Sequence, residues 1–540
     1  MSLLIRHARP VPFRSQAELS RVRASGGTAP APAVGEPVDL LMVDGVVREV
    51  GADLSGRPGS ADAEQLDVEG AFVIPGLWDG HAHLDQEAAQ RFRIDTTATR
   101  SAEEALALVA TALRDAEAAG SRPLTIQACG HRLSNWPRIP TVAELDAVTG
   151  DVPTLLASGD FHSGWLNSAA LRILGLPGAT EADPGEPVRE DVWFDVVNRL
   201  DEIPGNREGR ESGYGALFAD ALSRGVTGVV DMAWTAPSSW GELLGRLTAQ
   251  ADHAVTFPRI RSAVYRDRLE ESIAAGLHTG EPMPGTPLAG DGTPLITRGP
   301  LKIIADGSLG TASAHLAEPY PPEVGGEHPH GIANVGPEEL TALMTRAREA
   351  GYEVAIHSIG DAAITDTARA FQTSGARGRI EHAQLLPVDG GTDGVDGALA
   401  TLVACGAHFS VQPAHLVDDW AMVDRIWPGR KDRTYAFADM VAAGGALELG
   451  SDAPVAPLDP WLAMAAAVGR VTPTGEVWSP EQRLTQEEVL ASSVDGAGPV
   501  GVGTADLVVL GENPLELDAE GLGAAHPMAT VLGGELVFRR

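Results

Sequence analysis

Apolar residues fall in short runs along this chain, and stretches of helical periodicity separate most of the runs. Eight such runs stand out: Val73–His83, Val226–Asp231, Arg259–Val264, Leu301–Ala305, Glu353–His357, Arg379–His382, His408–Gln412 and Leu447–Ser451. The segment Gly336–Gly351 shows the intervening pattern, with Pro337 opening a helical period and Gly351 closing it. Eight strands alternating with helices predict an α/β fold, a (β/α)8 TIM-type barrel, rather than an open sheet. The two ends read differently. Val38–Val50 reads as a hairpin turning at Asp44-Gly45, and Ala505–Leu510 and Ala529–Phe538 are strand-like too. The expected organisation is a small composite β-sandwich domain from both termini (1–70 plus 500–540) and a barrel over 71–499. The gap from Ile94 to Gly225 exceeds one helix, so an insertion is expected at about 120–224, after the first barrel strand. Ser15–Gly35, rich in Ala, Pro and Gly, reads as loop.

Composition narrows the function classes. Hydrophobic residues make up 44% and charged residues 21%, an ordinary soluble balance. Acidic groups outnumber basic ones by 74 to 40, giving a net charge of −34. That field repels phosphate backbones and anionic lipid, so neither nucleic acid nor membrane is an expected partner. A small-molecule substrate is, and assembly into a homo-oligomer is compatible with the sequence. Cys129 and Cys405 are far apart and outside any CxxC spacing, which points to a reducing compartment. The opening MSLLIRHARPVPFRSQ lacks a signal-peptide core, so a cytoplasmic location is expected.

Groups able to bind metal cluster at the ends of the predicted strands. The first run closes with His81-Ala82-His83. Residues i and i+2 of a strand share a side, so both imidazoles can reach one ion. Alone, this spacing is a weak signal that a polar strand end also produces. The fourth run sets Lys302 among aliphatic residues, where an ammonium is costly unless paired or modified. It is either bridged to Asp306 or another carboxylate, or carboxylated by carbon dioxide into an anionic ligand between two metals. Arginine cannot supply the neutral amine that carboxylation needs. Only Lys302 and Lys431 are lysines among the 40 basic residues, which favours the second reading. His357 and His382 end the fifth and sixth runs. Asp452 follows the eighth, where a carboxylate could ligate metal and act as general base. All six fall at C-terminal strand ends, where barrels of this type carry their active sites. Trp136, His162 and Gln412 are weaker candidates for lining a pocket. Asp306 is read as a partner of a neighbouring strand, a ligand-orienting group or a substrate contact.

Six segments carry a family resemblance: PGLWDGHAHL (75–84), DFHSGWLNSAAL (160–171), LKIIADGSLGTASA (301–314), AIHSIGDAA (355–363), RIEHAQLL (379–386) and GSDAPVAPLDP (450–460). In order and spacing they resemble the YtcJ-like branch of the amidohydrolase superfamily, the amidohydrolase 3 family. The resemblance implies a binuclear centre of two divalent ions, Zn2+ first, with Mn2+ or Fe2+ as alternatives. His81, His83 and Asp452 would hold the buried ion, His357 and His382 the outer one, and carboxylated Lys302 would bridge them. It also implies that the insertion carrying Asp160, His162 and Trp165 covers the barrel mouth and contributes to a substrate pocket. The segment Cys129–Pro137 and the region around Val494–Gly503 depart from the usual pattern of relatives, so substrate identity does not transfer.

The expected activity is hydrolysis of a carbon–nitrogen bond other than a peptide bond, in an N-acyl, N-formyl or cyclic amide, with Asp452 as the proton carrier. An ester or carbamate hydrolase and a deaminase of the same superfamily are alternatives. The deaminase reading lacks the glutamate that such enzymes place after the fifth-strand histidine, since Ser358–Ala363 follows here. A catalytically silent binding barrel is the remaining rival, and it would be expected to have lost a ligand.

Overall fold

The computed structural model describes residues 2–27, 29–120, 122–131, 133, 136–159, 163–180, 182–233, 240–250, 256–388 and 397–540. Its centre is an eight-stranded parallel sheet: β1 (Leu77–Ala82), β2 (Val226–Asp231), β3 (Arg259–Tyr265), β4 (Ile296–Ile304), β5 (Val354–Ser358), β6 (Gly378–His382), β7 (His408–Val411) and β8 (Leu447–Leu449). Each strand pairs with the next in chain order, as a singly wound barrel requires. The ring closes beside the predicted ligands. Ala82 bridges Ala453, the Asp452 N–H donates to His81 O at 2.7 Å, and the His83 N–H donates to Ala453 O at 2.7 Å. At Gly450 a Cβ would stand 2.7 Å from the His81 backbone nitrogen, so this approach of β8 to β1 requires glycine.

Helices cover the outer face of the strands. Pro337–Glu349 follows β4 with Pro337 at its first turn, and Asp361–Ser374 follows β5 and ends on the left-handed Gly375. Outward residues such as Leu301, Ile303, Ile356, Ile380 and Phe409 pack with Met344, Phe371 and Leu402 in one buried apolar cluster. The strand residues of opposite parity are thereby left to point into the ring.

Both chain ends build a second sheet. Ser2–Pro10 lies beside Val38–Val43 and Glu64–Asp67, and its last residues pair with Phe72–Pro75. Phe72–Pro75 in turn pairs with Leu507–Leu510, which continues to Pro527–Leu532 and Glu535–Arg539. A single cluster collects Leu3, Ile5, Leu40, Met42, Val73, Val509 and Val531 from both ends. The predicted run Val73–His83 is therefore two strands in two sheets. Gly76 is the break, because a Cβ there would meet Thr227 Oγ1 at 2.1 Å.

Two further corrections concern local structure. Within the stretch read as loop, Gln16–Ala24 is a helix with a reciprocal capping box between Ser15 and Glu18. It is tied down by Arg14 to Glu487 and by Arg23 to Glu488. The insertion forms a compact unit from Asp85 to Leu217, beginning earlier than about 120, while the rest of the chain forms the other unit. Its five-stranded sheet takes in Ile94–Asp95 at one edge, and the Ser101-capped helix Ala102–Ala118 belongs to it as well. No helix among the described residues is long and apolar enough to cross a membrane.

Candidate metal centre

The barrel brings ligands remote in sequence to one place. His81 ends β1, His382 ends β6, and Asp452 follows β8, and one ligand atom from each lies within 4.8 Å of the others. Asp452 Oδ1 stands 3.0 Å from His83 Nε2 and 3.5 Å from His81 Nε2. Ring centroids of His81 and His83 are 5.3 Å apart, and those of His357 and His382 are 4.5 Å apart. Strand alternation alone would not deliver His382. Glu381 and Arg379 share a side of β6, and His382 next to them should face the other way. His382 has φ 70° and Ala383 φ 46°, so the chain leaves the strand in the left-handed region and turns the imidazole inward. Asp452, at φ 56°, does the same beyond β8.

The surroundings decide which nitrogens are free. Glu381 is fully buried on β6 and receives Arg379 Nε–H at 2.6 Å and His81 Nδ1–H at 2.6 Å. Burial alone would raise its pKa, but Arg379 and His81 hold the carboxyl well below the usual range, so it is ionised and can only accept. Burial, with Lys302 nearby, pushes His81 down to about 4, which makes the ring neutral near pH 7. A neutral ring donating from Nδ1 carries its lone pair on Nε2. His382 is set the same way. Its pKa lies well below normal through burial and the neighbouring His357, and its Nδ1–H donates to Gln412 Oε1 at 2.8 Å. Gln412 Nε2 donates to Ser410 O at 3.3 Å, which fixes the amide. Burial lowers His357 to about 3, and its Nε2 lies 3.3 Å from Gly307 O. Asp452, against its burial, is held well below the ordinary carboxylate range by His81, His83 and His382.

These residues fit a divalent cation. His81 Nε2 is buried without a hydrogen-bond partner, a costly state that metal ligation would relieve, and His83 turns its own Nε2 to the same Asp452 oxygen. Neutral imidazoles and an ionised carboxylate are the donor set that zinc-like ions take. Lys302 on β4 is 2% exposed, and burial lowers its pKa to about 8 while Glu381 and Asp452 pull the other way. No carboxylate forms an ion pair with it among the described residues. The pairing with Asp306 is absent because Asp306 is engaged elsewhere: it accepts from the backbone N–H groups of His315, Ile359 and Gly360 at 2.9–3.0 Å. Burial still lifts Asp306 to about 7.

The weaker candidates fare differently. Gln412, expected to line a pocket, is 2% exposed and stands behind His382. Asp306 is fully buried and ties the loops after β4 and β5, with Oδ1 3.7 Å from His357 Nε2. Trp136 belongs to the core of the Asp85–Leu217 unit, stacked on His131 at 4.8 Å, with Nε1–H donating to Thr99 O at 3.2 Å. Trp165 is buried in the same core. Asp160 and His162 lie outside the described residues. Three groups were missed. Arg379 and Glu381 sit inside the quoted RIEH segment, and spacing cannot show that they face His81 across the ring. His415 opens the helix His415–Ile426, and its buried Nε2, without a hydrogen-bond partner, lies 3.8 Å from Asp452 Oδ2.

The sequence profile of the amidohydrolase family matches residues 64–538. The chain belongs to the amidohydrolase family. Among relatives of this amidohydrolase, YtcJ of Bacillus subtilis, named as an amidohydrolase, is 26% identical over 93% of this chain and 96% of its own. The N-substituted formamide deformylase of Arthrobacter pascens is 25% identical over 93% of this chain and 95% of its own. A crystal structure titled an uncharacterized metal-dependent hydrolase from Pyrococcus furiosus superposes with TM-score 0.72 at 23% identity, covering 96% of this chain and 100% of that one. That likeness establishes the shared fold.

Proposed function

We propose that this amidohydrolase is a metal-dependent hydrolase of carbon–nitrogen bonds other than peptide bonds, acting on a small N-acyl, N-formyl or cyclic amide. The observation that carries the reading is the convergence of His81, His382 and Asp452, with Nε2 lone pairs set by Glu381 and Gln412. His81, His83 and Asp452 would hold one divalent ion, and His357 and His382 a second, with carboxylated Lys302 between them. Lys302 supports that role: its lowered pKa leaves a sizeable neutral fraction near pH 8, and an amine must be neutral to add to carbon dioxide. Bound zinc or a similar ion supplies Lewis acidity and a more acidic water.

The chain's own part is proton handling and orientation. Asp452, ionised and facing three imidazoles, accepts the proton of the attacking water and returns it to the leaving nitrogen. Water adds to the acyl carbon, the C–N bond breaks, and a carboxylate and an amine leave. The deformylase named above supports an amide carbonyl as electrophile. The test is a panel of N-substituted formamides, N-acyl amino acids, lactams, esters and carbamates, assayed with chelated and with zinc- or manganese-reconstituted protein. Metal-dependent release of amine supports the proposal; turnover confined to esters, or equal with and without metal, overturns it.

A further inference from the structure

Beneath the ligand cluster, Arg379 of β6 is held from three strands. The side chain is buried, and its Nε–H donates to Glu381 Oε1 on the same strand at 2.6 Å. Nη2 donates to the carbonyl of Gly80 on β1, the residue before His81, and Nη1 donates to Glu448 Oε2 on β8. β1 and β8 run so close here that a Cβ at Gly80 would stand 3.3 Å from Glu448 Cβ. Glu448 is pinned on its other side as well. Its Oε1 lies 2.8 Å from Nδ1 of His408, whose side chain is 53% exposed. His408 opens β7, at the end of the barrel opposite the metal ligands. Burial would raise the Glu448 pKa, but Arg379 and His408 hold it below the usual range, so it is an ionised acceptor. One chain of hydrogen bonds therefore runs His408–Glu448–Arg379–Glu381–His81, from the surface at the N-terminal ends of the strands to the metal centre.

We infer that Glu448 is a positioning residue of the metal centre, acting through Arg379 to keep one oxygen of Glu381 for His81. Nε and Nη2 of a guanidinium share an edge spaced for both oxygens of one carboxylate. In Arg379 that fork is split, with Nε on Glu381 and Nη2 on Gly80 O, and Glu448 fixes the remaining nitrogen, Nη1. Without Glu448 the guanidinium is free to swing until the fork closes on both oxygens of Glu381. His81 Nδ1–H then loses its acceptor, and the tautomer that leaves Nε2 bare for metal is no longer fixed. A plain structural ion pair would stabilise the barrel floor and leave metal affinity alone. The inference rests on the proposed role of His81 as a metal ligand.

The test is the zinc affinity of the full-length protein, stripped of metal and titrated against a competing chelator, with thermal unfolding to confirm the fold. Glu448→Ala should weaken zinc binding about tenfold, the lower end for loss of an outer partner. Glu448→Gln keeps an acceptor for Arg379, and its N–H2 meets an exposed imidazole free to accept at Nδ1, so it should restore most of the affinity. Glu448→Asp keeps the charge but draws it back from Arg379 by a methylene. It should bind zinc nearly as weakly as Glu448→Ala, and it replaces that variant should Glu448→Ala fold poorly. Added to Glu381→Gln, Glu448→Ala should cost no further affinity, because the oxygen it protects is already gone. Three results would overturn the inference while leaving the metal reading intact: wild-type affinity in Glu448→Ala and Glu448→Asp, a Glu448→Gln protein as weak as Glu448→Ala, or losses that multiply in the double variant. Wild-type protein that takes up no zinc would overturn both.

Discussion

Replacing Glu381 by glutamine tests the central argument with nearly no change of shape. The carboxylate accepts from Arg379 on one oxygen and from His81 Nδ1–H on the other, both at 2.6 Å. Glutamine keeps one acceptor and turns the other into an N–H2 donor. If its oxygen stays with Arg379, the N–H2 faces His81 Nδ1. The imidazole then becomes the acceptor there and carries its proton on Nε2, the nitrogen meant for metal. Losing an outer partner of this kind costs a metal site about 10–100-fold in affinity, or about 1.4–2.7 kcal/mol. Folding stability falls too. Breaking a buried pair costs about 3–5 kcal/mol, and the lower end applies because Arg379 retains Glu448 and the Gly80 carbonyl. Metal content measured against buffered free zinc, with urea unfolding alongside, reads both quantities. A Glu381→Gln protein that binds zinc as tightly as the wild type would refute the tautomer argument.

The other predictions address separate links. Lys302→Ala should lose turnover and about half the bound metal while staying folded, and propionate should restore part of the activity; full activity without rescue would eliminate the bridging role. Gln412→Leu removes the acceptor for His382 Nδ1–H, so metal affinity should drop about tenfold or more, and Gln412→Glu should recover much of it. The helix Gln16–Ala24 gives a pH prediction. Arg23 and the Thr485 N–H hold the Glu488 carboxyl below its normal pKa, against the upward push of burial. A depressed carboxylate stabilises the fold at neutral pH, and that contribution fades as pH falls through its folded pKa. Arg23→Ala should therefore lower Tm at pH 7, on the order of 1 kcal/mol in stability, and the gap to wild type should narrow as pH falls below the ordinary glutamate range and Glu488 takes up its proton. A gap unchanged by acid would show that the pair contributes nothing.

Much of this protein was legible along the chain because a barrel repeats one local rule. Each strand is a short apolar run, each following helix has its own period, and ligands stand at strand ends, so His81, His83, Lys302, His357, His382 and Asp452 could be picked out by position. Contacts across the ring could not. That Glu381 orients His81, that Gln412 stands behind His382 rather than in a pocket, and that Asp306 is consumed by three backbone N–H groups all depend on strands separated by tens to hundreds of residues. The inward turn of His382 rests on left-handed backbone at two non-glycine residues, which no local preference favours and only the surrounding packing imposes. The early start of the insertion and the split at Gly76 are likewise decided by which sheet a short segment joins. Local sequence specifies which elements form and what their ends carry; which side chains meet, and which nitrogen is left bare, is decided by closure of the ring.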